Sequence, residues 1–137
     1  GPRTRPPAQR VDATVLLVED QDEVRYVLGR MLQRIGCRVI AVDSGDAAVV
    51  KLREAPAAVD AVLSDVVMPG LRGGDLVAAL HAIRSDLPIV FSSGYVDGRQ
   101  VHADLAAMGL EILEKPIDQE VLAATLQRLL PRRPSSG

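Results

Sequence analysis

Tryptophan is absent from this chain of 137 residues, cysteine occurs once, and aromatic residues together make up 2%. A core with so few rings has to be built from Val, Leu, Ile and Ala. The lone Cys37 excludes an internal disulfide and any site made of several cysteines. Its expected place is that of a small apolar filler near a strand start. No apolar run is long enough to cross a membrane. The basic residues at the start have no apolar segment behind them, unlike a signal peptide. A cytoplasmic location without membrane contact is therefore the expectation. A strong charge of either sign is also missing. The formal net charge is −2, too near neutral for nucleic-acid binding by bulk electrostatics. What remains is 47% hydrophobic and 25% charged, which suits one soluble globular domain.

Residues 1–12, with the Pro- and Arg-rich stretch GPRTRPPAQR, read as a linker or tail. Residues 13–130 read as the domain and 131–137 as a second tail. Thr14 to Val18 is a β-branched and aliphatic run, as expected of a central parallel strand. Val24, Val27, Leu28, Met31, Leu32 and Ile35 then share a helical face. Asp22 and Glu23 favour its start and Gly36 its end. Arg38 to Val42 is a second strand. A cap at Asp43 or Ser44 opens a helix over Ala47 to Glu54, which Pro56 ends. Ala61 to Ser64 is a third strand. The next helix follows Gly73-Gly74, with an inner stripe of Leu76, Val77, Leu80 and Ile83. Leu87 to Ser92 is a fourth strand. Val101, Leu105 and Met108 mark a weak helix after a loop containing Gly98. Glu111 to Glu114 is a fifth strand. The last helix runs from about Asp118 to Leu130, with Val121, Leu122, Thr125, Leu126, Leu129 and Leu130 inward. Strand and helix alternate five times, which predicts an α/β doubly wound parallel sheet with helices on both faces. Right-handed crossovers favour the flavodoxin-like order 2-1-3-4-5.

In such a sheet the C-terminal strand ends lie along one edge, where ligands bind. The first strand delivers Glu19 and Asp20 there, the third Asp65, the fourth Ser93 and the fifth Lys115. Each has a plain structural reading as a cap, turn or solvated charge. Their joint placement has a chemical one. Three crowded carboxylates raise one another's pKa unless a cation sits among them. All the donors are oxygens, which selects Mg²⁺ or a similar hard ion over zinc. A carboxylate beside such an ion can attack phosphorus to form an acyl phosphate. The ion, Lys115 and the Ser93 hydroxyl would then each meet one oxygen of the transferred group.

Leu17-Val18-Glu19-Asp20, Asp65 with Met68-Pro69-Gly70, Ser93-Gly94 and Lys115-Pro116 stand in an order and spacing that resembles the receiver domain of two-component response regulators. The resemblance covers Thr14 to about Leu130. It implies Asp65 as phosphoacceptor, receiving phosphoryl from a phosphohistidine of a histidine kinase or a histidine phosphotransfer protein. It implies Glu19, Asp20, Asp65 and the backbone carbonyl of Val67 as Mg²⁺ ligands. Ser93 becomes the switch hydroxyl and Lys115 the lysine that contacts the phosphoryl group. A cis Lys115–Pro116 bond is also implied. The family often carries Phe or Tyr three residues before the lysine; Ile112 stands there, so the rotating aromatic of the switch is missing. Val67 and Tyr95, two past Asp65 and two past Ser93, would shield the acyl phosphate from water, so slow self-dephosphorylation is expected. Phe91-Ser92-Ser93-Gly94-Tyr95 looks like the receivers at the C-terminus of hybrid sensor histidine kinases. A stand-alone or truncated response regulator is the alternative.

Two other classes compete. A Mg²⁺-dependent phosphatase or phosphotransferase with an aspartyl nucleophile usually needs a second acid two residues on, where this chain has Val67. A nucleotide or flavin module needs a Gly-rich turn after the first strand, where Glu19-Asp20 stands. His81 and His102 read as solvated surface residues.

Overall fold

A computed structural model describes residues 10–94 and 99–131. Five parallel strands, β1 (Thr14–Val18), β2 (Arg38–Val42), β3 (Ala61–Asp65), β4 (Ile89–Ser93) and β5 (Glu111–Glu114), pair in the order β2-β1-β3-β4-β5. Between and after them come α1 (Asp22–Ile35), α2 (Gly45–Glu54), α3 (Gly73–Ile83), α4 (Arg99–Ala107) and α5 (Gln119–Leu129). This is the flavodoxin-like doubly wound fold expected from the alternation of elements. One short addition is a 3-10 turn at Pro56–Ala58, directly after the proline-ended α2.

Continuous apolar strands occupy the middle of the sheet because helices cover both faces there. Val15, Leu16, Leu17 and Val18 of β1 are fully buried, and so are Ala61, Val62 and Leu63 of β3. Alternate residues feed two core layers. Leu16, Val62 and Phe91 join one with Leu52, Leu76 and Leu80. Leu17, Leu63, Val90 and Leu113 join the other with Leu28, Leu32, Leu122 and Leu126. Each such side chain contributes about 1.5–3 kcal/mol by leaving water.

Local chemistry sets the helix ends. The Ser44 hydroxyl accepts from the Ala47 N–H at 3.1 Å, and Asp118 accepts from the Val121 N–H at 3.0 Å. Gly36 closes α1 with φ 118°, a left-handed cap that costs glycine least. Cys37 fills the start of β2, buried as expected.

Several sequence expectations need correction. Val27 and Val121 are half exposed, because each lies one step beyond the edge of its helix's buried stripe. In α4 only Leu105 is buried; Val101, and Met108 just past its end, stay partly exposed along a groove. The packed unit also starts earlier than residue 13. Val11 is buried in the second core layer, and its N–H donates to the Ile35 carbonyl at 2.9 Å. The expected Pro/Arg linker over residues 1–9, the loop residues Tyr95 and Gly98, and the tail from 132 onward lie outside the described residues.

Candidate functional site

Strand register brings the chosen residues together. Val18 pairs with Ser64, so Glu19 and Asp65 stand level at adjacent strand ends. Asp65 pairs with Ser92, and Ser93 with Glu114, which puts Lys115 one step past the edge. The Lys115 N–H donates to the Ser93 carbonyl at 2.8 Å, and the Lys115–Pro116 bond is cis, as expected. Period-two alternation then fixes the sides. Glu19, Asp65 and Lys115 each follow by two a residue of the same core layer, namely Leu17, Leu63 and Leu113.

Glu19, Asp20 and Asp65 each offer one carboxylate oxygen within 4.8 Å of the others. Glu19 is fully buried and Asp65 is 5% exposed, a costly place for charge without a counter-ion. Lys115 supplies part of the balance. Its Nζ lies 3.2 Å from Asp65 Oδ1 and 3.5 Å from Glu19 Oε1. Backbone donors add to it. The Gln21 N–H donates to Glu19 Oε2 at 3.0 Å, and the Val67 N–H to Asp65 Oδ1 at 3.3 Å. Arg25 holds the same turn from α1, donating to the Glu19 carbonyl at 2.9 Å and pairing with Asp22 at 2.6 Å.

Titration follows the surroundings. Burial pushes the Glu19 carboxyl above its ordinary value and the Asp65 charge adds to this, while the Gln21 N–H and Lys115 pull the other way. Burial works against the Lys115 ammonium, but Asp65 and Glu19 together outweigh it and hold its pKa above the usual lysine value. The set therefore remains short of positive charge. An oxygen-only trio of carboxylates suits a hard divalent cation, and the residues present fit one.

Ser93 ends β4 and lines a cavity of about 500 Å³ between β4, α4 and β5, together with Gly94, Arg99, His102, Glu114 and Lys115. Val67 stands at the mouth of a second groove, 47% exposed, with Val101, Leu105 and Met108 opposite. Tyr95 is not among the described residues. His81 is half-buried and its Nε2 lies 2.9 Å from the Leu87 carbonyl, a tie between α3 and the strand that follows rather than a solvated ring. Ser92, where the expected fourth strand ends, is a strand neighbour of Asp65 through register.

The geometry has counterparts in known proteins. The chain is 40% identical over 124 residues to the sensor kinase CckA of Brucella abortus, covering 88% of this chain and 13% of that protein. It is 34% identical over 121 residues to the two-component response regulator ARR14 of Arabidopsis thaliana, covering 87% of this chain and 31% of that one. The chain thus spans only a minor part of either relative. A solved structure of the receiver domain from the hybrid histidine kinase CckA superposes with a TM-score of 0.71 at 32% identity, over 86% of this chain and 99% of that one. The sequence profile described as "Response regulator receiver domain" matches residues 15–127, and with strand order, acid trio and lysine in agreement, the chain belongs to the family of response regulator receiver domains.

Proposed function

We propose that Asp65 accepts a phosphoryl group from a phosphohistidine, on a histidine kinase or on a phosphotransfer protein. The observation that supports this most strongly is a nearly buried carboxylate grouped with Glu19 and Asp20 on one side and held by the Lys115 ammonium at 3.2 Å on the other. An Asp65 oxygen forms the new O–P bond as the N–P bond of the donor breaks. The imidazole nitrogen keeps the bonding pair and takes up a proton. Lys115 carries three donors and turns them to the phosphoryl oxygens, with the Ser93 hydroxyl as a further donor from the end of β4. Glu19, Asp20, Asp65 and the Val67 carbonyl are the groups that would hold Mg²⁺, which when bound supplies positive charge against the carboxylates and the charge developing on the transferred group.

The consequence is a change of protein contacts. New bonds to Ser93 and Lys115 would bias the surface of α4 and β5, without an aromatic at Ile112 to carry the signal. We read the chain as the receiver of a hybrid sensor histidine kinase in the cytoplasm. Its similarity to the CckA proteins and its Phe91–Tyr95 segment support that context. The alternative is a stand-alone response regulator.

The test is incubation with acetyl phosphate and Mg²⁺, followed by intact mass. One phosphoryl group is expected on the protein and none on Asp65→Asn. An unchanged mass, or a gain that survives Asp65→Asn, removes the assignment. Sustained turnover of a generic phosphate ester would favour the aspartyl phosphatase instead.

A further inference from the structure

The two helices that follow the acid-bearing strands start in the same unusual way. α2 and α5 open on side chains that accept a backbone N–H, Ser44 and Asp118. α1 and α3 open on Gln21 and Arg72, and neither side chain makes a cap bond. A guanidinium reaches back instead and donates to a carbonyl in the preceding loop. Arg25 holds the Glu19 carbonyl at 2.9 Å, and Arg72 holds the Met68 carbonyl at 3.0 Å. The first tie fixes the turn that carries Glu19 and Asp20. The second lies one peptide beyond the Val67 carbonyl.

Ser, Thr, Asp or Asn would cap α3 better, so the helix itself does not call for arginine at this position. The residue is exposed, and one hydrogen bond from such a side chain adds little to stability. Its place in the loop gives it another use. The Val67–Met68 peptide plane turns only about ψ of Val67 and φ of Met68. On one side the Val67 N–H donates to Asp65 Oδ1 at 3.3 Å. On the other the Met68 side chain is 1% exposed, sunk in the first core layer. Pro69 disfavours the helical region for Met68, and Arg72 ties the Met68 oxygen. The Val67 carbonyl thus lies between two anchored groups, and Arg72 supplies one of the anchors.

We propose that Arg72 is a positioning residue that sets the preference of the acid site for Mg²⁺ over Ca²⁺. It acts through the loop, by tying the peptide next to the Val67 carbonyl. That role rests on the reading of Glu19, Asp20, Asp65 and the Val67 carbonyl as the groups that hold Mg²⁺. A small ion that demands near-octahedral oxygens at about 2.0–2.1 Å loses most when one of them can swing. Ca²⁺, with flexible geometry at about 2.3–2.6 Å, adapts to the change. A guanidinium that acted only as a nearby charge would repel both ions alike.

Mg²⁺ and Ca²⁺ chlorides are each titrated by NMR into wild type, Arg72→Ser and Arg72→Lys. Thermal unfolding is recorded in parallel without divalent ions. Arg72→Ser removes the tie but offers α3 a cap, so its unfolding temperature should be unchanged or higher. Its Mg²⁺ affinity should fall about tenfold, the lower end for loss of a group that supports a metal ligand. Its Ca²⁺ affinity should fall distinctly less. Arg72→Lys, which keeps a charge and a donor, should keep most of the preference for Mg²⁺. Three results would overturn the idea. One is an unchanged or tighter Mg²⁺ affinity in Arg72→Ser, the mark of a charge that only repels. Another is an equal loss for both ions. The third is a lower unfolding temperature, or loss of folding, in metal-free Arg72→Ser, which would mean that the tie serves the fold. If wild type shows no Mg²⁺-dependent shifts around Glu19, Asp20 and Asp65, the metal reading falls and this inference with it. Equal Mg²⁺ binding by wild type and Arg72→Ser removes only the role of Arg72.

Discussion

Gly45 and Leu71 meet backbone to backbone: a Cβ built on Gly45 would lie 2.1 Å from the Leu71 carbonyl oxygen and 3.0 Å from its carbonyl carbon. The contact presses the first turn of α2 against the loop that follows Asp65. Gly45→Ala gains helix propensity of about 1 kcal/mol but must push that loop away, an overpacking cost of about 1–3 kcal/mol. Net destabilisation in urea unfolding is expected. Gly29→Ala is the control. Its Cβ would meet only Leu17 Cδ2, at 3.8 Å. It should therefore stabilise by about 0.5–1 kcal/mol. If both variants shift the midpoint alike, the close approach at Gly45 has no energetic weight.

Glu19 is where the proposed metal binding and folding would oppose each other. Burial raises its pKa, so its contribution to stability is full below the ordinary value of 4.5 and is lost as pH climbs through the raised folded value. Once ionised, its charge is therefore a burden on the metal-free fold. Glu19→Gln is expected to unfold at higher temperature than wild type without divalent ions, although Lys115 loses one of its two partners. Mg²⁺ at ten times its Kd should add about 1.4 kcal/mol to wild type, and less to the variant. Equal gains in calorimetry would take Glu19 out of the metal site.

Val67, two residues past Asp65, carries an apolar, half-exposed side chain. Val67→Asn should let water reach the acyl phosphate and speed its decay severalfold, without a change in unfolding temperature. The loss of phosphorylated mass over time measures this. An unchanged decay would show that the side chain does not gate water.

Burial pushes the Cys37 thiol up to about 11 from an ordinary 9.0. Its share of stability is present below pH 9 and is lost as pH rises through about 11. Cys37→Ala should flatten the fall of unfolding free energy over that interval. Alkylation of native wild type at pH 8 should be slow and should speed up on unfolding. Rapid alkylation of the native protein would contradict the burial.

The strand runs, their ends and the helix stops could be read directly because neighbouring residues encode them. Asp65 before Pro69-Gly70, Ser44 before α2 and Gly36 after α1 are signals only a few residues long. The stripe of α1 was legible too, but its width was not. Val27 sits beside Leu28 in sequence, yet only Leu28 is covered. The site divided in the same way. Its residues could be named one by one from the strand ends, whereas the pairing of Ser92 with Asp65 and the contact of Gly45 with Leu71 left almost no local trace.

By itself the sequence determined which segments are strands, which are helices and which side chains reach the C-terminal edge, since period and punctuation are local properties of the chain. The tertiary structure alone decided that Glu19 stands level with Asp65, that Lys115 reaches both, and that Ser92 rather than Ser93 is the strand neighbour of Asp65. Those relations depend on the register between strands 21 or more residues apart, which the packing of two core layers sets and no single stretch of sequence contains.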